Sequence, residues 1–409
     1  MHSRCLALLA VVACVGCAGT GPNDIRPARV PPHPALIKSG TVIGTDPVLA
    51  NFAFIGCNRI SSSDASKDPL ANGSTANVPQ LTQTLLDLAN PVLVYPKPLI
   101  LFNAGDIVDN EATDNGATLQ SQLAAWAKAF KDKLPVPMLA IPGNHEMLQQ
   151  TGSDEDSEFP NPPTQAIWLD WSTSNGFNLW SGNGPTPTSS PSDNLMFDDS
   201  KMSYSFEQSF AVAAGTRKIH FVVVNTDTQN TVTSPLNSQY KTAAWIPLNW
   251  IKQDIAAASA DPSVGAIILL GHRPVTVPSF ASETPIDPTL GAELATFLST
   301  QPKFAFYLCT HAHVWTPTPM AGTNVMQYVV GNAGSKLESK WFEGKPAPPE
   351  WQAMGGPYFG FSVVSVHQSG TIGLYHVWRP ANSDEKKYYL PGSTLVSQAT
   401  SEVAVFTMK

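Results

Sequence analysis

Four short stretches of the 409-residue chain concentrate side chains that can hold or move charge: GDIVD at 105–109, GNHE at 143–146, GHRP at 271–274 and THAH at 310–313. Asp106 and Asn144 offer oxygen donors, while His272 and His311 offer imidazoles. Such a mixed set suits Mn, Fe, Zn or Ni better than Ca or Mg, because imidazole is a poor partner for hard cations. Taken singly, a histidine at a strand end is more often structural, and a lone GD or GN is more often a turn. The conjunction changes the balance, since His145, His272, His311 and His313 are four of nine histidines and all fall at the ends of predicted strands. His220 and His376 lie within predicted strands and read as structural.

The elements that must present these clusters follow from short apolar runs that alternate with helical patterns, the signature of an α/β domain. FAFIG (52–56), PLILFNAG (98–105), VPMLAIPG (136–143), KIHFVVVNT (218–226), VGAIILLGH (264–272) and KFAFYLCTH (303–311) read as strands that run into turn residues. TLQSQLAAWAKAFKDKL (118–134) and LNWIKQDIAAASA (248–260) carry apolar residues at helical spacing. Glycine at the head of GDIVD, GNHE and GHRP lets a strand turn sharply, so the polar residues project from carboxyl ends, where open α/β sheets place ligands. YFGFSVVSV, GTIGLYHVW and SEVAVFTMK, after residue 357, read as antiparallel strands that finish the domain. Residues 147–203 are the exception: Ser, Asp, Asn, Pro and Gly dominate, and a connection this long is functional cover or disorder. Its SDEDSEF run reads as a solvated face, and Trp168, Trp171 and Trp180 argue that part of it packs, as a roof beside the site.

With 43% hydrophobic side chains the chain can bury a full core, and a formal charge of -8 leaves no basic surplus for general nucleic-acid binding. The N-terminus, MHSRCLALLAVVACVGCAGTGP, has a basic start, a short apolar stretch and then small residues, which reads as an export signal. VVAC ending at Cys14 and CVGC ending at Cys17 both resemble the lipobox of bacterial lipoproteins, and Cys17 leaves the longer apolar core. The expected organisation is a lipoprotein-type signal at 1–17, a Pro/Gly-rich tether at 18–48, a main domain at 49–380 with the 147–203 insertion, and a strand extension at 381–409. The expected location is the bacterial cell envelope, with contact to a membrane through the lipid anchor alone.

The ordered motifs GDIVD, GNHE, GH and THAH, with YSFEQ and HFVVVNTDT between them, resemble those of the calcineurin-like metallophosphoesterases, which include the purple acid phosphatases. Thr310 stands where that family has glycine. The resemblance covers about residues 50 to 380 and implies a sandwich of two mixed β-sheets flanked by helices. It also implies two divalent or trivalent transition metals (Fe, Mn or Zn) and hydrolysis of phosphate monoesters or diesters by metal-activated water. By the same resemblance Asp106 is the bridging carboxylate; Asn144, His272 and His311 complete the second metal site; His313 is a ligand of the first; and His145 steadies the transition state and protonates the leaving oxygen. The substrate would be a phosphorylated small molecule or macromolecule.

The first motif departs from the family. FAFIGCNRI (52–60) puts Cys57 and Arg59 where the family has the Asp and His that bind its first metal. A guanidinium stays protonated and cannot be a ligand. Three readings follow: Cys57 ligates as thiolate with Asp106, His313 and Asp109 in a softer site; one metal sits in the second site and Arg59 supplies the missing positive charge, clamping phosphate; or the site is a relic and the protein is a surface binding module. Cys309 lies two and four residues before His311 and His313, so a continued strand would face all three the same way. A Cys57–Cys309 disulfide would then withdraw Cys57 from any metal.

Overall fold

In the computed structural model the residues described are 46–66, 77–110, 114–150, 158–160, 162–178, 182–232, 244–278, 281, 283–338, 358–380, 398–399 and 404–409. The expected signal, Cys17, the tether as far as residue 45, Trp180 and most of the acidic run lie outside them. Along the chain come β1 (Val48–Ile55), α1 (Ser62–Ala65), α2 (Asn77–Ala89), β2 (Leu101–Ala104), α3 (Ala117–Phe130), β3 (Met138–Ile141), α4 (Asn144–Met147), β4 (Leu148–Gln150), β5 (Glu158–Pro160) and α5 (Pro162–Ser174). There follow β6 (Tyr204–Val212), β7 (Gly215–Val223), α6 (Leu248–Ala260), β8 (Val264–Leu270), α7 (Pro288–Ser299), β9 (Phe304–Cys309), β10 (Trp315–Pro319), β11 (Met326–Val330), β12 (Tyr358–His367), β13 (Thr371–Pro380), β14 (Gln398–Ala399) and β15 (Ala404–Thr407).

Two mixed sheets result, as the motif resemblance implies. One runs β14-β13-β12-β1-β2-β3 with β15 also on β13; the other runs β10-β11-β9-β8-β7-β6. The strands that lead into the motifs are parallel within each sheet: β1, β2 and β3 in one, and β8 and β9 in the other. Their carboxyl ends therefore open on one crevice.

Alternation along β1 shows how the sequence builds two layers at once. Phe52 and Phe54 enter the core between the sheets, where Phe52 and Phe102 meet Phe221 at ring-centroid distances of 4.9 and 5.5 Å. Ala53 and Ile55 point the other way, into a second core under the helices. A strand buried on both faces reads as one continuous apolar run, which is what FAFI is. In α2, Val78, Leu81, Leu85 and Leu88 recur at three- and four-residue spacing and bury in that second core.

Trp168 and Trp171 also belong to the second core. Both sit on α5, with Trp168–Trp171 centroids 5.1 Å apart and Trp171 5.8 Å from Trp126 of α3, and the Trp171 indole donates to the Leu123 carbonyl at 2.8 Å. The expectation of a roof beside the site gives way to a packed helix: tryptophans three residues apart on a helix share a face, and that face turns to α3. Asp193, in the same insertion, is equally structural. Its carboxylate accepts from the Asn249 and Trp250 amides at 2.7 and 3.0 Å, capping the start of α6, which has no cap of its own.

His220 and His376 do lie within strands. His220 Nε2 meets Asp254 at 2.8 Å and Nδ1 stands 3.5 Å from Glu207, while His376 faces Ser362 and Asn332. Among the described residues no helix is long and apolar enough to cross a membrane.

Candidate metal centre

The site residues follow the carboxyl ends of parallel strands, and the backbone at three of them takes unusual shapes. Cys57, Asp106 and His311 have φ of 56°, 52° and 68°, a left-handed region that costs non-glycine residues roughly 1–2 kcal/mol each. Long-range backbone bonds hold them there: the Cys57 amide donates to the Gly105 carbonyl at 3.0 Å, and Ser335 donates to the Cys57 carbonyl at 2.8 Å. Gly105 and Gly143 pass so closely that a Cβ on Gly105 would stand 2.4 Å from the Gly143 nitrogen, and one on Gly143 would stand 2.5 Å from Asp106 Oδ1. Only glycine lets the two loops close on the site.

Glu146 fixes the Asp106 loop. Its carboxylate accepts from the backbone amides of Gly143, Asp106, Ile107 and Val108 at 2.8, 2.9, 2.8 and 3.2 Å. Burial, then the nearby Asp106 charge, raises its pKa, and the Gly143 amide opposes this only in part.

Asp106 is fully buried and works with both oxygens. Oδ2 accepts from Arg59 Nε at 3.1 Å and Nη2 at 2.7 Å. Oδ1 accepts no hydrogen bond, and His272 Nε2 stands 3.1 Å away. Burial opposes ionisation, but His272 and Arg59 together hold the carboxyl well below the usual range.

His272 is oriented from behind. Its Nδ1 lies 2.7 Å from the Ala104 carbonyl, to which Thr310 Oγ1 also donates at 2.6 Å, so Nδ1 carries a proton and donates it there. Nε2 then faces Asn144 Oδ1 at 2.9 Å, Asp106 Oδ1 at 3.1 Å and His311 Nδ1 at 3.1 Å. Burial would lower the His272 pKa, yet the Asp106 charge reverses the direction and raises it.

His311 is controlled by a residue outside the expected set. Arg273 Nη1 stands 2.9 Å from His311 Nε2, with Arg273 Nε on Asp227 at 2.7 Å and Nη1 on the Thr284 carbonyl at 3.1 Å. Burial, then the Arg273 charge, pushes the His311 pKa well below its ordinary value. His145 Nδ1 contacts the Asp109 carbonyl, and its buried Nε2 lies 3.9 Å from Asp106 Oδ2. His313 Nδ1 lies 2.7 Å from the Lys336 carbonyl.

Among the described residues, one group of His, Cys, Asp or Glu offers three ligand atoms all within 4.8 Å of one another: Cys57, Asp106 and His272. His313 is not in it, so the structure does not assemble the Cys57–Asp106–His313 shell expected for a first metal site. The Arg59 guanidinium rests on Asp106 Oδ2 at 2.7 Å, the carboxylate that the resemblance gives to both ions. The second position does fit a cation. Asp106 Oδ1 and Asn144 Oδ1 both face His272 Nε2, at 3.1 and 2.9 Å, and with that ring neutral and protonated on Nδ1 all three are buried acceptors that positive charge among them would satisfy.

Cys57 and Cys309 are both buried and free. Their thiols face different carbonyls, His311 and Tyr328, each at 3.7 Å. The expectation that Cys309, His311 and His313 share one strand face fails because β9 ends at Cys309 and the chain turns at His311. Sequence reasoning also missed Arg273, Asp227 and the work of Thr310. Thr310 packs on Gly56, where a Cβ would lie 2.4 Å from Thr310 Cγ2. GHRP did carry the arginine signal, but nothing local links it to His311.

The family model for calcineurin-like phosphoesterases matches residues 52–315. The chain belongs to that family, and a phosphoesterase-type function is what membership gives; the family's members depend on two metal ions. Similar solved structures include a dimetal phosphatase from Danio rerio (TM-score 0.47, 11% identity, covering 80% of this chain and 96% of that one). They also include GAP50, the anchor in the inner membrane complex of Plasmodium (0.46, 12%, 88% and 88%), and PhoD (0.44, 11%, 87% and 71%). No curated protein matches the sequence.

Proposed function

We propose that this protein hydrolyses phosphate monoesters or diesters with one transition-metal ion, held at Asp106, Asn144 and His272, and with the Arg59 guanidinium standing where the family holds its other ion. The observation that supports this most is the division of Asp106: Oδ2 is taken by Arg59 at 2.7 Å, while Oδ1 faces Nε2 of His272 and accepts no hydrogen bond. A bound ion would supply Lewis-acid charge to the phosphoryl oxygens and lower the pKa of a water.

The protein's own groups divide the remaining work. Arg59 is 16% exposed, so its planar fork can reach a phosphate oxygen while two of its N–H groups stay on Asp106. His145 donates from Nδ1 to the Asp109 carbonyl, which aims Nε2 toward Asp106 Oδ2 and the reacting group. A proton on Nε2 would pass to the leaving oxygen and leave the ring neutral. Glu146 keeps Asp106 in place throughout.

Export and a lipid anchor at Cys17 belong to the same proposal and rest on the N-terminal sequence. The site would then meet phosphorylated molecules of the cell envelope or beyond it.

A panel of phosphomonoesters and phosphodiesters, assayed with Mn, Zn and Fe added separately, tests the reading. Hydrolysis that Asn144→Ala abolishes is the expected result. Tight binding of phosphate esters without turnover by wild-type protein would favour the second reading, a binding module, which Arg59's occupation of the bridging oxygen also suits.

A further inference from the structure

The end of the 147–203 insertion meets the turn that follows β7 at one buried carboxyl group, Asp199, which hydrolysis does not employ. Asp199 is 1% exposed and faces uncharged groups: Oδ2 lies 2.5 Å from Ser203 Oγ and 3.5 Å from Thr228 Oγ1, and Oδ1 accepts from Asn225 Nδ2 at 3.0 Å. Other buried carboxylates here are compensated: Asp106 by Arg59, Asp227 by Arg273, and Glu146 by four backbone amides. Among the described residues no cation pairs with Asp199.

Thr228 shows which protonation state the cluster is built for. A hydroxyl has one proton, and the nearer acceptor for it is the Asn225 carbonyl at 3.0 Å, so Thr228 turns a lone pair to Asp199 Oδ2. A lone pair accepts from a carboxylic acid and repels a carboxylate. Ser203 Oγ can donate to the same oxygen in either state.

Asp199 also joins three segments of chain. Its amide donates to the Pro185 carbonyl at 3.2 Å, its carbonyl accepts from the Met202 and Ser203 amides at 2.8 Å, and the Asn225 amide donates to Ser203 Oγ at 3.0 Å. From Asn225 the contacts run toward the crevice. Its Oδ1 accepts from the Asp227 amide at 3.0 Å, Asp227 Oδ1 accepts from Arg273 Nε at 2.7 Å, and Thr226 Oγ1 accepts from the Arg273 amide at 3.0 Å.

We infer that Asp199 is a positioning residue that works as a proton-operated latch: with its carboxyl protonated it holds the end of the insertion against the 225–228 turn behind Arg273, and ionisation releases that turn. The latch goes beyond the hydrolytic reading and does not depend on it. The charged groups around it are Asp198 and Lys201 on its own segment and Asp227, paired with Arg273, on the turn opposite; residues 182–190 carry none. Burial pushes the Asp199 pKa from 3.8 up to about 7 against the hydrogen bonds from Ser203, Asn225 and Thr228, and the Asp198 charge adds to the rise. An acid whose pKa is raised by folding contributes fully below about 3.8, and that contribution is lost as pH rises to about 7. The ionised group regains hydration only if residues 199–203 part from the turn, so opening should grow about tenfold per pH unit across that window.

Hydrogen exchange at the Asn225 and Asp227 amides of the full-length protein, expressed as protection factors from about pH 5 to 8, tests the latch without any turnover. Asp199→Asn is the companion variant: it keeps a carbonyl oxygen for Asn225 Nδ2 and gains an amide that donates to Thr228 Oγ1, a permanent copy of the protonated acid. In the wild type, protection at both amides should fall about tenfold per pH unit up to about pH 7. In Asp199→Asn it should stay level, and the folding equilibrium constant at pH 8, from denaturant titration, should exceed that of the wild type. Protection that does not change with pH in the wild type, or that falls equally in Asp199→Asn, would overturn the latch. So would an Asp199→Asn protein less stable than the wild type at pH 8, because the cluster would then be built for the carboxylate. The wild-type profile decides even if Asp199→Asn fails to fold.

Discussion

Replacing Arg59 by methionine keeps the aliphatic stem and removes the guanidinium from Asp106, a carboxylate with no exposed surface. Breaking a buried ion pair from one side costs about 3–5 kcal/mol, because the remaining charge is uncompensated. Arg59 is 16% exposed and His272 stands 3.1 Å from Oδ1, so the lower end, about 3 kcal/mol, applies. With an unfolding entropy of about 2.1 cal/mol/K per residue and a domain of roughly 300 residues, each kcal/mol moves Tm by about 1.5 °C, giving a fall of about 4–5 °C. The same change removes a positive charge from the metal's neighbourhood, so added Zn should raise Tm more in Arg59→Met than in the wild type. Saturation at 100 times Kd restores about 2.7 kcal/mol. Thermal unfolding by circular dichroism, with chelator and then with excess Zn, reads both effects. An Arg59→Met protein as stable as wild type in chelator, with the same Zn response, would refute the claim that Arg59 compensates Asp106.

Three further outcomes are expected. His145→Asn should lower turnover by about 10²–10⁴-fold while leaving metal affinity within a factor of two or so, measured by initial rates and competitive titration; equal turnover would remove its proton-transfer role. Glu146→Ala leaves four buried amides without an acceptor, so unfolding free energy should fall by at least about 3 kcal/mol and metal binding should be lost with the Asp106 loop, whereas a drop under about 1 kcal/mol would contradict the geometry. Burial alone would lower the His220 pKa, but Asp254 and Glu207 push it up to about 9, above the unfolded value of about 6.5. Its contribution, up to about 3 kcal/mol, is therefore fully present below about pH 6.5 and lost as pH rises to about 9; His220→Gln should flatten that slope in denaturant titrations across pH.

Much of the fold was legible because strands, turns and motifs are local. The run FAFIG, the helix LNWIKQDIAAASA and the glycine that opens three of the four polar clusters announce themselves in sequence order. What was missed is long-range. Helix α5 opens with Pro162 and Pro163, and its tryptophans are three apart, a helix signal that the polar composition around it hid. Thr310 in place of glycine looked like a blemish, and the structure shows it orienting His272 through the Ala104 carbonyl, 206 residues away. Cys57 and Arg59 were visible as departures, but only the fold shows that Arg59 turns to Asp106 rather than away from it. The extended reading of Cys309, His311 and His313 failed because one positive φ at His311 ends the strand's alternation.

Metal stoichiometry is the most direct test of the single-ion site. The protein is purified without chelator, exposed separately to Zn, Mn and Fe, freed of excess ion and measured for metal per chain by elemental analysis. One tightly held ion per chain, lost in Asn144→Ala and His272→Ala, is the expected result. Two tightly held ions in the wild type would contradict it, because Arg59 would then have to leave the Asp106 oxygen to make room for the second.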